Sequence, residues 1–253
     1  MAPKKLLLLA DVHGNLEALK AVLRDAERIE KSFGEIIVLG DTVDYYAQPN
    51  ECLELLKRKK AIILQGNHDA AAIGELDPSE FRGWPIESLE WTKKKLNEKS
   101  IQTLKHLPKF FGTGLLLCIH GSPRAPLREY MNIEAAEETF RVCGEQLIVC
   151  GHVHKCFSID EKLEKTNYKG GTIIDFKGKR MIFSMPSVGQ PRDGNPHTGY
   201  AILDLKKFEI TVKRIPYDIQ KTVSLAKKEG LPEKVADGLF EGDNYFHIPR
   251  KSE

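Results

Sequence analysis

The chain alternates short apolar runs with polar, glycine-containing clusters. Leu6-Leu7-Leu8-Leu9-Ala10 reads as a fully buried strand. Asn15 follows as a helix cap, and Leu16, Leu19, Ala21, Val22, Leu23 and Ala26 form one apolar helical face up to about Ile29. Residues 35–39 predict a second strand, 51–60 a helix, and 61–64 a third strand. Three strand–loop–helix units in succession predict an α/β fold with a partly parallel core.

From about Asp77 to Pro108 the pattern turns helical, with Trp84, Leu89, Trp91 and Leu96 as apolar anchors. We read this stretch as a helical insertion, either a lid or a helix pair packed on the sheet edge. Strands resume at 114–119 and 147–149. Residues 172–176, 180–184, 200–204 and 209–215 then read as a β-meander, turning at Gly178-Lys179 and Lys206-Lys207. A helical tail is expected over about 219–245, broken at Gly230-Leu231-Pro232. One domain over 1–253 accounts for this pattern without an internal repeat or a low-complexity linker.

Composition narrows the function classes. The 253 residues carry 38 Lys and Arg against 36 Asp and Glu, a net charge of +2, which supplies no bulk basic surface for nucleic acid. Leu6–Ala10 is far shorter than the roughly 20 residues of a membrane span, so no membrane partner is expected. Five cysteines are too few for a disulfide scaffold and fit a reducing, cytoplasmic setting.

The chemistry sits at the strand ends. Asp11-Val12-His13, Gly40-Asp41 with Asp44, Gly66-Asn67-His68-Asp69, His120-Gly121 and Gly151-His152-Val153-His154 each follow an apolar run. Ligands of α/β sheets bind at the carboxyl ends of strands, so neighbouring strands would turn all five clusters into one crevice. Residues at i and i+2 in a turn can aim at one centre, as Asp11/His13 and His152/His154 would. Carboxylates gathered with imidazoles conflict unless divalent cations join them. Imidazole, carboxylate and amide donors suit Mn, Fe, Zn, Co or Ni, and the lack of thiolate ligands argues against a structural zinc site. Asp69 reads as a structural cap.

Asp-x-His, Gly-Asp-x-x-Asp, Gly-Asn-His-Asp, His-Gly and Gly-His-x-His, in this order, resemble the calcineurin-like metallophosphoesterases. Gly189-Gln190-Pro191-Arg192-Asp193-Gly194, His120-Gly121-Ser122-Pro123-Arg124 and Gly230-Leu231-Pro232 are similar to a compact prokaryotic branch of predicted phosphodiesterases. The resemblance implies a four-layer α/β/β/α sandwich of two mixed sheets flanked by helices. It implies two divalent metal ions, one held by Asp11, His13 and His154 and the other by Asn67, His120 and His152, with Asp41 bridging. His68 would face the substrate as proton donor or transition-state stabiliser, oriented by Asp44. The implied activity is hydrolysis of phosphoesters by a metal-bridging hydroxide, on phosphodiesters or nucleotide-type small molecules. Ser/Thr protein phosphatases of the superfamily continue the second motif as Asp-Arg-Gly, whereas Tyr45-Tyr46 follows Asp44 here. Arg192 is therefore the first candidate for phosphate contact and Arg124 the second. The rival readings are a catalytically silent binding scaffold, which missing ligands would betray, and a nuclease, which would need a basic groove.

Overall fold

A computed structural model describes residues 5–81 and 84–242, with only the backbone described at Glu80, Trp84 and Asp237. Twelve strands are β1 (Leu6–Leu9), β2 (Ile36–Val38), β3 (Ile62–Ile63), β4 (Phe110–Gly112), β5 (Leu116–Ile119), β6 (Leu147–Cys150), β7 (Phe157–Asp160), β8 (Lys165–Asn167), β9 (Ile173–Asp175), β10 (Met181–Ser184), β11 (Thr198–Asp204) and β12 (Glu209–Ile215). The α-helices are α1 (Leu16–Ile29), α2 (Pro49–Arg58), α3 (Asn67–Ala72), α4 (Trp84–Lys95), α5 (Glu98–Leu104), α6 (Ile133–Val142), α7 (Ile219–Lys228) and α8 (Glu233–Asp237).

Two six-stranded mixed sheets result, ordered β3-β2-β1-β11-β12-β9 and β4-β5-β6-β10-β7-β8. The side-chain period of two explains the layers. Leu6 and Leu8 join Ile37, Cys118, Val149, Phe183, Leu203 and Val212 in a core between the sheets. Leu7 and Leu9 point the other way, against Leu19, Val22, Leu53 and Leu56 of α1 and α2. On the second sheet, Ile148, Cys150 and Ile182 pack outward against Ala135 and Ala136 of α6. Every side chain of β1 is thus buried, at about 1.5–3 kcal/mol each. This is the expected α/β/β/α arrangement. No helix among the described residues is long and apolar enough to cross a membrane.

The expected β-meander is corrected. Of its four strands only β11 and β12 form a hairpin, joined over seven residue pairs from Thr198↔Ile215 to Asp204↔Glu209. β10 leaves for the other sheet, parallel to β6 and antiparallel to β7. Met181–Ser184 is buried throughout, which an interior strand satisfies and an edge strand does not. Strands β4, β7 and β8 were not expected; β8 (Lys-Thr-Asn) is exposed at all three positions and carries no apolar signal. The insertion holds α4 and α5 as helices, and the tail holds α7 and α8, while residues 243–245 of the expected tail lie outside the described residues. α4 is packed from within. Trp91 Nε1 donates to the Glu229 carbonyl at 2.9 Å, and Leu89 is fully buried in the core that also holds α1 and α2. The helix packs on α2, α3 and α8.

Strands β1, β2 and β3 run parallel, as do β5, β6 and β10. Polar clusters follow the ends of β1, β2 and β3 in one sheet and of β5 and β6 in the other. The clusters are therefore neighbours within each sheet, and the two groups meet across the sandwich.

Candidate metal centre

The loops that meet here are held in conformations side chains rarely adopt. Among the described residues, Asp11, His13, Asp41, Asp44, Tyr45, His152 and His154 have φ between +50° and +74°. Such strain persists only where surrounding contacts over-determine it. Those contacts are visible. Asp11 N–H donates to the Gly40 carbonyl at 3.1 Å and His13 N–H to the Asp41 carbonyl at 2.9 Å. Asp69 accepts from the N–H groups of Thr42 (2.9 Å), Val43 (3.1 Å) and Gly66 (3.0 Å), tying the second loop to the third. Gly66 has no substitute, because a Cβ there would lie 2.1 Å from Asp41 Oδ1. At Gly189 a Cβ would lie 2.0 Å from the Val12 carbonyl oxygen, so glycine lets the Arg192 loop press on the first motif.

The side chains then converge as two groups of potential ligands that share one carboxylate. Asp11, His13, Asp41 and His154 offer atoms within 4.8 Å of one another, and so do Asp41, His120 and His152. Asn67 Oδ1 joins the second group, 3.0 Å from His120 Nε2. All seven are buried. Their hydrogen bonds sort the atoms. Oδ1 of Asp11 accepts from the His152 N–H at 2.9 Å, and Oδ1 of Asp41 from the His68 N–H at 2.9 Å. Both Oδ2 atoms are buried without a hydrogen-bond partner among the described residues, with Asp41 Oδ2 3.3 Å from His120 Nε2. His120 Nδ1 lies 2.7 Å from the Leu39 carbonyl, His154 Nδ1 2.6 Å from the Gln190 carbonyl, and His152 Nε2 3.3 Å from the Arg128 carbonyl. A carbonyl only accepts, so each of these nitrogens donates its proton outward. The second nitrogens of His152 and His154 turn their lone pairs inward, the pattern of a metal-ligating histidine, while His120 Nε2 lies 3.0 Å from Asn67 Oδ1 and 3.1 Å from His152 Nδ1 and holds a proton that a metal would displace.

Electrostatics agree with cation binding. Burial, with the charge of Asp41 adding to it, pushes the Asp11 carboxyl up to about 7, against the pull of His120. Burial opposes ionisation of Asp41 too, but His120 and His68 hold its carboxyl well below the usual range. Burial keeps His13 and His154 far below the ordinary histidine value, and it brings His152 down to about 3 with His120 adding. His120 goes the other way, to about 9, because Asp41 and Asp11 outweigh its burial. Orphaned carboxylate oxygens and the neutral imidazoles of His13, His152 and His154 are donors for a borderline divalent cation, and His120 joins them by giving up a proton to the metal.

His68 stands beside this cluster. Its Nδ1 is 2.6 Å from Asp44 Oδ2, as expected for a residue oriented by that carboxylate. Burial would lower its affinity for a proton, but Asp41 and Asp44 together raise it. Thr92 of the insertion donates to Asp44 Oδ1 at 3.2 Å, and the Phe81 ring lies 4.7 Å from the imidazole. Arg192 is half-buried, with Nη2 2.6 Å from Gln190 Oε1, and its charge acts on Asp11, His13 and His154. Arg124 has another occupation. Its guanidinium forks onto Glu129 at 2.8 Å and reaches Glu134 at 3.3 Å on the surface, so it braces its own loop. Any phosphate contact by Arg124 would have to compete with these two carboxylates.

Two aromatic residues escaped the sequence reading. Tyr45 stacks on His13 at 4.3 Å, and Tyr130 stacks on His152 at 4.0 Å with the rings 10° apart. Tyr45 carried a signal, since it directly follows Asp44. Tyr130 carried none, because nine residues separate it from His120. Asn15 also does more than cap α1 through Ala18 N–H, since its Nδ2 donates to the Gly189 carbonyl at 2.9 Å.

Comparison with known proteins closes the assignment. The calcineurin-like phosphoesterase family profile matches residues 4–156. An uncharacterized protein of Methanocaldococcus jannaschii is 33% identical over 247 residues, covering 96% of this chain and all of its own. The crystal structure of a metallophosphoesterase from Sphaerobacter thermophilus superposes with a TM-score of 0.85 at 34% identity, over 94% of this chain and 99% of that one. A hypothetical protein from Pyrococcus horikoshii OT3 shares the fold, with a TM-score of 0.78 at 20% identity, over 94% and 98% of the two chains. The chain belongs to the calcineurin-like phosphoesterase family, and its buried Asp/His cluster supports divalent-metal binding and metal-dependent hydrolysis of phosphoesters.

Proposed function

We propose that this protein hydrolyses phosphodiesters of small-molecule or nucleotide type with two divalent cations. Asp11, His13 and His154 hold one, Asn67, His120 and His152 the other, and Asp41 serves both. The observation that carries the reading is the division of labour within the ligand groups. The outward nitrogens of His120, His152 and His154 and the Oδ1 atoms of Asp11 and Asp41 are spent on the backbone, and the inward atoms crowd one another, His13 Nε2 3.2 Å from His154 Nε2 and His120 Nε2 3.1 Å from His152 Nδ1, where cations would hold them together. Bound there, the cations supply Lewis-acid polarisation of the phosphoryl group and a nucleophile near neutral pH.

The chain's own groups do the rest. Asp44 holds Nδ1 of His68, so that its Nε2 is the atom that donates a proton to the departing oxygen. Arg192, oriented by Gln190, meets the phosphoryl oxygens with its guanidinium. The buried walls exclude bulk water and strengthen each of these contacts. The test is a panel run with Mn, Ni, Mg and Zn, with metal content measured in parallel. It comprises p-nitrophenyl phosphate, its bis-ester, cyclic nucleotides, dinucleoside polyphosphates and phosphopeptides. We expect about two metals per chain and turnover of the diesters above the monoester. Metal-loaded protein that turns over none of them would overturn the proposal.

A further inference from the structure

The proposed roles leave Tyr45 unused, although it is held more tightly than a packing residue requires. Its φ is +64°, a region that a bulky side chain enters only under constraint. It is 3% exposed, with its ring stacked on His13 and its edge against His68 at 4.6 Å. The phenol oxygen lies 3.1 Å from His68 Nε2 and 3.4 Å from Arg192 Nη2. The neighbouring Tyr46 makes the contrast. It too is buried, but its hydroxyl donates to the Val235 carbonyl at 3.1 Å and accepts from Gln190 Nε2 at 3.3 Å, so the fold consumes it. The hydroxyl of Tyr45 instead meets the two side chains assigned above to the substrate. A guanidinium only donates, and His68 Nε2 carries the proton in the role given above, so the phenol oxygen accepts from both. Tyr130, stacked on His152 and 52% exposed, marks the rim of the cluster.

We propose that Tyr45 is a substrate-contacting residue whose hydroxyl donates to a phosphoryl oxygen received between Arg192 and His68. The proposal rests on the reading of the site as a phosphoesterase centre. Tyr45→Phe removes one oxygen and keeps the ring that stacks on His13. The full chain, loaded with Mn, is compared with the variant in three measurements: metal per chain, affinity for inorganic phosphate by calorimetry, and kcat and KM on bis-p-nitrophenyl phosphate. We expect unchanged metal content, phosphate affinity about 10-fold weaker, and kcat/KM lower by about 10–100-fold, as for loss of a hydrogen bond to a charged group. A double-mutant cycle with Arg192→Lys should be non-additive, because both groups meet one ligand. Phosphate affinity equal to wild type overturns the proposal. So does loss of metal, or of folding, in Tyr45→Phe, which would assign the hydroxyl to support of the scaffold. Wild-type protein that takes up metal yet binds no phosphate and turns over no ester overturns the phosphoesterase reading itself, an outcome visible before any variant is made.

Discussion

Two loops flank the metal cluster and do matching jobs in different ways. Residues 186–197 and residues 121–130 each offer a backbone carbonyl to a histidine, Gln190 to His154 and Arg128 to His152. Each also carries arginine, Arg192 in the first and Arg124 and Arg128 in the second. In the first loop the arginine faces the cluster, because the loop is pinned on several sides. Gly189 presses on Val12, Asn15 holds the Gly189 carbonyl, and Asp193 pairs with Arg214 of β12. In the second loop Arg124 pairs with Glu129 and Glu134 on the surface, and the loop presents an aromatic face in Tyr130. Two arginines that look alike in sequence are separated by what their neighbours do with their charge. A guanidinium meets phosphate best where buried scaffolding orients it toward the ligand.

The largest expected effect removes what both walls share. Asp41→Asn takes the common carboxylate from the two ligand groups, so metal content and diester turnover should fall together, activity by at least about 1,000-fold. Elemental analysis beside an assay with added Mn checks it, and substantial activity in the variant would break the shared-ligand assignment. The contrast itself is tested by paired substitutions. Arg192→Ala should lower kcat/KM by about 100-fold, as for removal of one oriented donor, whereas Arg124→Ala should stay within about twofold of wild type. Equal effects would erase the difference between the loops.

A smaller effect comes from loosening the pinned wall without touching its arginine. Arg214 is nearly buried and Asp193 partly so. Arg214→Met leaves the Asp193 carboxylate without its partner, at about 3 kcal/mol, the lower end for a buried pair. That should lower Tm by about 6–12 °C and raise KM. An unchanged KM at a lowered Tm would separate loop stability from substrate positioning. The smallest effect belongs to the aromatic wall. Tyr130→Ala should raise KM for esters with an aromatic leaving group by about 2–10-fold and spare alkyl esters, as expected for one stacking contact. Equal losses on both classes would mean that the ring serves His152 alone.

The strands with unbroken apolar runs were legible in sequence, because β1, β6 and β10 are buried on both faces. The motif residues were legible because each follows such a run directly. β8 was not, since Lys165-Thr166-Asn167 is an exposed edge whose pairing with β7 supplies its only reason to be extended. The return of β10 to the second sheet was hidden for a related reason. An apolar quartet announces burial but not which neighbours provide it. Asp69 was read as a cap and is one, although its partners in the second loop lie 26 and 27 residues away.

By itself the sequence determined the fold class, the seven potential ligands with His68 and Asp44, and the candidacy of Arg192. Those rest on residue type and on position at strand ends, both of which are local. The place of Asp41 in both ligand groups was already implied by the family resemblance; only the tertiary structure decided that Arg124 pairs with Glu129 and Glu134 while Arg192 lies beside the cluster, and that Tyr45 and Tyr130 border the site. Except for the Arg124 pairs, these are contacts between loops far apart in the chain, made by strained backbone that packing across two sheets holds in place.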